Sequence, residues 1–140
     1  MWGDMTVNKL KYLLLPFLAL VLIGCSTKVT EEDLIGGFWV ATAGYKDGKR
    51  NGEPYGSSVI TEGLEFKDDE TVYVAAYDRD FKYELEKSKE GMMIRFIRTD
   101  LGLYLSYYID KINEDEIGLR GDNELQEKES CYLERQKALD

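Results

Sequence analysis

Hydrophobic and polar residues alternate along most of the chain, and short polar turns separate the alternating stretches. The alternation is clearest over residues 81–87, where charged side chains separate Phe81, Tyr83 and Leu85, and it recurs over residues 103–109. A period of two residues predicts strands with one buried and one solvated face. Eight strands are predicted in this way: Phe38–Tyr45, Val59–Phe66, Thr71–Tyr77, Phe81–Lys87, Met92–Arg98, Leu103–Ile112, Ile117–Gly121 and Ser130–Arg135.

Short polar turns at residues 67–70, 88–91 and 113–116 connect most of these strands as sequential hairpins. Eight hairpin-connected strands can hide both edges of their sheet by closing into a barrel. The pattern therefore predicts an all-β fold, an antiparallel eight-stranded up-and-down barrel, with a two-sheet sandwich as the alternative. Residues 46–58 contain the turn dipeptides Asp47-Gly48 and Asn51-Gly52, and we expect them to form a loop over the barrel mouth.

The first 25 residues have a different pattern. Residues 8–11 carry the positive charges of Lys9 and Lys11 and precede an apolar run over residues 12–23. This run is too short to span a bilayer and is typical of a secretory signal. The run ends in Leu22-Ile23-Gly24-Cys25. This box resembles the lipobox of bacterial lipoproteins, which implies that Cys25 receives a diacylglyceryl group and that the chain is cleaved before it. A signal anchor with a chance cysteine is the alternative.

The resemblance divides the chain into four parts. Residues 1–24 are expected to be a cleaved signal peptide, 25–33 the lipidated cysteine and a short tether, 34–135 the barrel and 136–140 a tail. Two acyl chains hold a protein on its membrane far more firmly than one. We therefore expect a membrane anchor outside the cytoplasm, on the outer face of the cell membrane or on an outer membrane if the cell has one.

A helical turn precedes the first strand. Thr30-Glu31-Glu32-Asp33 has the spacing of a capping box, and Gly37-Phe38-Trp39 follows it. A helical turn followed by G-x-W on the first strand resembles the opening motif of the lipocalins and of small lipocalin-like domains in bacterial lipoproteins. In that family an arginine near the last strand packs across the tryptophan ring at the closed end of the barrel. The resemblance implies that Trp39 and Arg135 form this barrel-closing pair, with Arg120 as the alternative arginine.

The composition excludes several classes of function. Histidine is absent, which removes imidazole metal sites and Ser-His-Asp or Cys-His catalysis. The formal charge of −9 argues against nucleic-acid binding and against electrostatic attraction to anionic lipid. No nucleotide-binding or hydrolase motif is present. The carboxylates at 68–70 and 114–116 fall in predicted turns, where solvated side chains are expected and weak calcium binding is the alternative. We predict a protein without enzyme activity, cofactor or metal. Cys131 is expected to be a small buried apolar side chain on a strand, with a reactive thiol as the alternative.

Three aromatic residues and one leucine that are predicted to face inward form the first candidate site. Tyr83, Tyr107, Phe81 and Leu105 have the parity of the barrel interior. Tyrosine often fills the core of a sheet protein, so plain packing is one interpretation. The other is an amphipathic cavity in which these residues line a small apolar ligand. Binding of such a ligand is the leading functional hypothesis.

Outward-facing tyrosines supply the second candidate site. Tyr104 and Tyr108 have the opposite parity to Tyr107 and would lie together on the barrel surface. Exposed aromatic side chains suit a protein partner. The alternative functional hypothesis is therefore an envelope protein-interaction module, such as an inhibitor of a lytic enzyme or a surface-exclusion or immunity lipoprotein.

Overall fold

The computed structural model describes residues 28–54, 58–122 and 129–137 of the 140-residue chain. Within these ranges the backbone forms nine strands, two short helices and two 3-10 turns. The helices are α1 (Glu31–Leu34) and α2 (Ser58–Thr61), the 3-10 turns are Ala75–Tyr77 and Thr99–Leu101, and the strands are β1 (Phe38–Lys46), β2 (Lys49–Arg50), β3 (Leu64–Phe66), β4 (Thr71–Val74), β5 (Arg79–Ser88), β6 (Gly91–Arg98), β7 (Leu103–Asn113), β8 (Glu116–Gly121) and β9 (Cys131–Gln136).

Eight of these strands close into an antiparallel barrel. From β3 onwards each strand pairs with the next one along the chain, and β1 pairs with both β3 and β9. The remaining strand, β2, lies outside the barrel and forms a short hairpin with the end of β1. The predicted all-β, eight-stranded up-and-down barrel is therefore confirmed, and the two-sheet alternative is wrong.

The up-and-down order gives the barrel two distinct ends. β1 begins at one end, which also carries α1 and the turns after β3, β5 and β7. We call this the α1 end. The opposite end carries α2, both 3-10 turns and the connection from β8 to β9, and we call it the α2 end.

A continuous apolar core extends between the two ends. It reaches from Val29 and Leu34 at the α1 end to Val59 and Ile60 at the α2 end. All four side chains are almost completely removed from solvent. Val29 falls in the segment that the sequence assigns to the tether, so the packed domain begins earlier than residue 34.

Two predicted strands differ from the structure. The first half of the strand predicted at 59–66 is the helix α2, because two adjacent buried residues, Val59 and Ile60, fit a helical turn as well as a strand. Gly63 then turns the chain into β3 with φ +119°, and a Cβ there would come within 2.3 Å of the Phe38 ring. The strand predicted at 71–77 ends at Val74 and continues as a 3-10 turn.

Candidate functional site

Trp39 is completely buried at the α1 end and packs against Arg135. The two residues are cross-strand neighbours on β1 and β9, and the guanidinium carbon lies 4.5 Å from the centre of the indole ring. The indole Nε1 donates a hydrogen bond of 2.9 Å to the carbonyl of Leu34. The structure therefore brings together the two residues that the lipocalin resemblance implies, and it ties both to α1.

Arg135 also donates hydrogen bonds to four backbone carbonyls. Its Nη1 reaches Ile35 and Gly36 at 3.0 and 2.9 Å, and its Nη2 reaches Asp33 and Glu114. The carbonyls in the last turn of a helix have no partners within the helix. Arg135 therefore satisfies the end of α1 and connects it to β9 and to the turn between β7 and β8.

The glycine before the first strand makes room for this side chain. Gly37 has φ +75°, and a Cβ there would lie 2.7 Å from Cγ of Arg135 and 3.0 Å from the carbonyl of Gln136. Only glycine combines that backbone conformation with such a close approach. The close packing of Arg135 thus explains why glycine occupies the first position of the G-x-W motif in this chain.

Asp33 fixes the start of α1. Its carboxylate accepts hydrogen bonds from the Thr30 backbone N–H at 2.9 Å and the Thr30 hydroxyl at 3.1 Å, and it forms a 2.9 Å ion pair with Lys111. Burial opposes ionisation of Asp33, but the hydrogen bonds from Lys111 and Thr30 outweigh it and hold its pKa below the usual value. The predicted capping interaction is present and adds an ionic link to β7.

The two interior tyrosines use their hydroxyls within the chain. Tyr83 donates to the carbonyl of Asp68 at 2.6 Å, and its ring meets that of Phe66 edge-on at 4.9 Å. Tyr107 donates to the carboxylate of Glu129 at 3.1 Å. Burial raises the pKa of both phenols, and the nearby carboxylates raise it further. Both groups are therefore part of the packed core, one bonded towards each end of the barrel.

The other two interior candidates lie nearer the α2 end. Phe81 is buried, with the ring of Tyr77 at 5.5 Å and the guanidinium of Arg98 at 5.8 Å. Leu105 is half-buried and packs against the core opposite Phe96. The structure places Phe81 and Leu105 on the inward face, as their parity predicts.

Apolar side chains lie on the outside of β6 and β7 in two groups, which the paired Arg95 and Ser106 separate. Tyr104 is directly opposite Ile97, and Tyr108 is directly opposite Met93. Tyr104 is 60% exposed, and Leu101 at the tip of the same hairpin is 41% exposed. We call these five residues the hairpin patch. The sequence patterns did not single out Leu101 as a surface residue of interest. The signal that could have identified it is an apolar residue inside an otherwise polar turn.

Arg120 borders the hairpin patch and does not approach Trp39. Its guanidinium binds both carboxylate oxygens of Asp110, at 2.8 and 3.2 Å, and lies 5.1 Å from the centre of the Tyr108 ring. The Tyr45 hydroxyl donates to the same carboxylate at 2.8 Å. This outer network contacts Tyr108 through the guanidinium of Arg120.

Only one of the two cysteines lies among the described residues. Cys131 is buried and forms no disulfide. Cys25 and the predicted signal peptide lie outside the described residues, so lipidation stays a prediction. Among the described residues, no helix has the length and apolar character needed to cross a membrane.

Comparison with protein-family models, with curated proteins and with solved structures gives no match. Function is therefore inferred from the sequence and the geometry of the barrel.

Proposed function

We propose that this protein is a lipid-anchored envelope lipoprotein that binds a protein partner through the hairpin patch and catalyses no reaction. The observation that carries the proposal is the exposure of Tyr104 beside Leu101 on one hairpin. Aromatic side chains are enriched at protein interfaces relative to the rest of the protein surface.

The surroundings of the patch support a protein partner. Tyr108 is held by the guanidinium of Arg120, which is in turn fixed by Asp110. A side chain that is already ordered loses less conformational entropy when a partner binds. The chain has a formal charge of −9, so a basic partner would be attracted by its overall field.

Binding of a small apolar ligand inside the barrel is the second hypothesis. It is supported by the closed eight-stranded barrel, an architecture that can hold one small ligand. The hydroxyls of Tyr83 and Tyr107 favour the surface site instead, because each already donates its proton within the chain, to Asp68 and Glu129, and so cannot donate it to a ligand.

The barrel is proposed to be lipocalin-like. The support is the contact between Trp39 and Arg135 at the end where β1 begins. The anchor is proposed at Cys25, from its position after the apolar run. Mass spectrometry of the membrane fraction tests the anchor: we expect an acylated Cys25 at the N-terminus, and an unmodified Cys25 with residues 1–24 retained would contradict it.

Site-specific photo-cross-linking in the producing cell tests the partner surface. With p-benzoylphenylalanine in place of Tyr104 we expect a discrete protein adduct. The matched control carries the same group in place of Tyr73, which lies on the outer face of β4. Equal adducts from both positions, or none from Tyr104, would contradict the proposal. Specific, saturable binding of the apolar dye N-phenyl-1-naphthylamine, unaffected by Tyr104→Ala, would favour the interior ligand.

A further inference from the structure

A small apolar cluster lies on the outside of the barrel, apart from the main core. It consists of Ala43 and Tyr45 on β1 and Tyr132 on β9, and these side chains are only 5%, 7% and 4% exposed. Tyr132 faces outward because its two neighbours on β9, Cys131 and Leu133, belong to the main core. Outward-facing side chains of a barrel are normally solvated, so another part of the chain covers this cluster.

The β1–β2 hairpin provides the cover. The pairing of β1 with β9 ends just before Tyr45, and the Tyr45 ring lies against β8, where a Cβ on Gly118 would come within 2.3 Å of it. Arg50 on β2 places its guanidinium 4.9 Å from the centre of the Tyr132 ring. Residues 45–50 therefore lie over the outer faces of β8 and β9, and we call them the strap.

The polar contacts that hold the strap lie near solvent. Arg50 forms a 2.9 Å ion pair with Glu134, and the two side chains are 53% and 35% exposed. The Tyr45 hydroxyl donates a 2.8 Å hydrogen bond to Asp110. Ion pairs as exposed as this one contribute little to stability. The strap can therefore open at a small cost in free energy while the eight barrel strands stay paired.

The surface beneath the strap adjoins the hairpin patch. Tyr132, Gly118 and Asp110 are cross-strand neighbours on the outer faces of β9, β8 and β7. Tyr108, a residue of the patch, is the outward-facing residue of β7 that precedes Asp110. When the strap opens, Tyr132 and the uncovered backbone at Gly118 extend the patch across two further strands.

A shared carboxylate connects the strap to the patch. Asp110 accepts hydrogen bonds from the Tyr45 hydroxyl at 2.8 Å and from Arg120 at 2.8 and 3.2 Å. The same Arg120 guanidinium lies over the ring of Tyr108. A partner that contacts Tyr108 and Arg120 therefore meets the group that holds the strap.

The size of the patch gives a partner reason to open the strap. Stable protein interfaces bury on the order of 800 Å² and about 20 residues on each side, whereas the patch has five residues in two separate groups. We propose that the strap is an autoinhibitory element, which the partner of the hairpin patch displaces in order to bind Tyr132 and Ala43 as well. This inference rests on the partner proposed above. Because the strap must open first, the free protein binds this partner more weakly than its full surface allows.

The first experiment measures opening in the protein purified from the producing cell, without a partner. Tyr45→Phe combined with Arg50→Gln removes the polar contacts of the strap. Tyr73→Phe combined with Lys67→Gln is the matched control, since it removes a tyrosine–aspartate hydrogen bond, an ion pair and one positive charge on the outside of β4 and β5. The two double variants therefore differ in place and not in chemistry.

Hydrogen exchange read by mass spectrometry reports on the strap, because the Asn51 N–H donates to the carbonyl of Gly44 across the hairpin. In the strap variant we expect peptides over residues 44–52 to exchange at least about fivefold faster than in the parent protein, since lost hydrogen bonds lower the cost of opening. The control variant should match the parent over these residues. Equal exchange in the strap variant and the parent would overturn the proposal.

Nitration by tetranitromethane, which modifies accessible tyrosines, shows what the strap covers. Tyr132 should react in the strap variant and stay protected in the parent and the control, whereas the buried Tyr83 should stay protected in all three. Protection of Tyr132 in a strap variant that exchanges faster would overturn the proposed cover. If Tyr83 also reacts, the barrel has unfolded, and the single variant Tyr45→Phe, which keeps the ring over Gly118, takes the place of the double variant.

The second experiment tests displacement by the partner in the producing cell. With p-benzoylphenylalanine in place of Tyr104, the strap variant should give a higher yield of the protein adduct, by up to the factor found for hydrogen exchange, because more of the protein is already open. The control variant should leave the yield unchanged. An adduct of equal or lower yield in the strap variant would overturn the autoinhibition and leave the partner proposal standing. No adduct in any variant would overturn the partner proposal and this inference with it.

Discussion

The two ends of the barrel are closed by helices of equal length that are held in different ways. α1 and α2 each have four residues. At the α1 end, Arg135 donates hydrogen bonds to the carbonyl of Asp33 in the helix and to that of Ile35 just after it, and Asp33 links the start of the helix to Lys111. At the α2 end, Val59 and Ile60 insert into the core and pack near the 3-10 turn that follows β4.

The contacts of Arg135 and Asp33 with α1 are directional, whereas the side chains of Val59 and Ile60 stabilise the other end by apolar burial. Hydrogen bonds and ion pairs fix a geometry, and they cost free energy when one partner is lost. Burial of apolar area contributes free energy but tolerates shifts in position. Substitutions of Arg135 and of Ile60 should therefore affect stability through different mechanisms.

The largest effect is expected from Arg135→Met. Methionine keeps much of the apolar stem but leaves four carbonyls without their donor and Trp39 without its cation. We expect the free energy of unfolding to fall by about 4 kcal/mol. Urea unfolding followed by Trp39 fluorescence measures it. Arg120→Met is the matched control, and because its side chain is 38% exposed we expect a loss of about 1 kcal/mol or less. Equal losses would remove the special role of Arg135.

Ile60→Ala tests the apolar end. Removing most of a fully buried side chain should lower the free energy of unfolding by about 3 kcal/mol. If the two kinds of contact act independently across the shared core, the combined Ile60→Ala and Arg135→Met variant should lose the sum of the single losses. The exposed Ile112→Ala provides the control, with an expected change within about 0.5 kcal/mol. A combined loss well below the sum would mean that the ends are not independent.

Much of this architecture could be predicted from the sequence. Period-two alternation located β5, β6 and β7 to within one or two residues at each end, because a strand with one buried and one solvated face leaves that signature directly. The pairing of Trp39 with Arg135 followed from a family resemblance, and the parity of Arg135 with Leu133 on β9 was the physical clue.

The features that were missed depend on contacts between distant parts of the chain. Val29 looked like tether because a single apolar residue among polar ones carries no periodic signal, and only the barrel end gives it a place to pack. The apolar pair at 59–60 fits a helix or a strand equally well. Leu101 lies in a hairpin turn, and its exposure next to Tyr104 depends on the register between β6 and β7.

The interior tyrosines extend the comparison of the two ends. Tyr83 binds a carbonyl at the α1 end, and Tyr107 binds a half-buried carboxylate at the α2 end. Tyr83→Phe should lower the free energy of unfolding by about 1 kcal/mol, because the carbonyl of Asp68 loses its donor. Tyr107→Phe should cost less, since water can replace the hydroxyl at Glu129. Urea unfolding measures both, and a larger loss for Tyr107→Phe would reverse this order.

The smallest effect concerns pH and the start of α1. Because the pKa of Asp33 is lowered in the folded chain, its carboxylate stabilises the fold above its unfolded pKa of 3.8, and this contribution is lost as the pH falls through the lower native value. Asp33→Asn should therefore reduce the loss of stability on acidification, by about 1 kcal/mol at most. Unfolding measured at pH 6 and near pH 3 provides the test, with Ile60→Ala as the control. That variant should keep the pH dependence of the parent protein, because the substitution changes only an apolar, non-titrating side chain. An unchanged acid response in Asp33→Asn would show that the ionic link to Lys111 does not distinguish the α1 end.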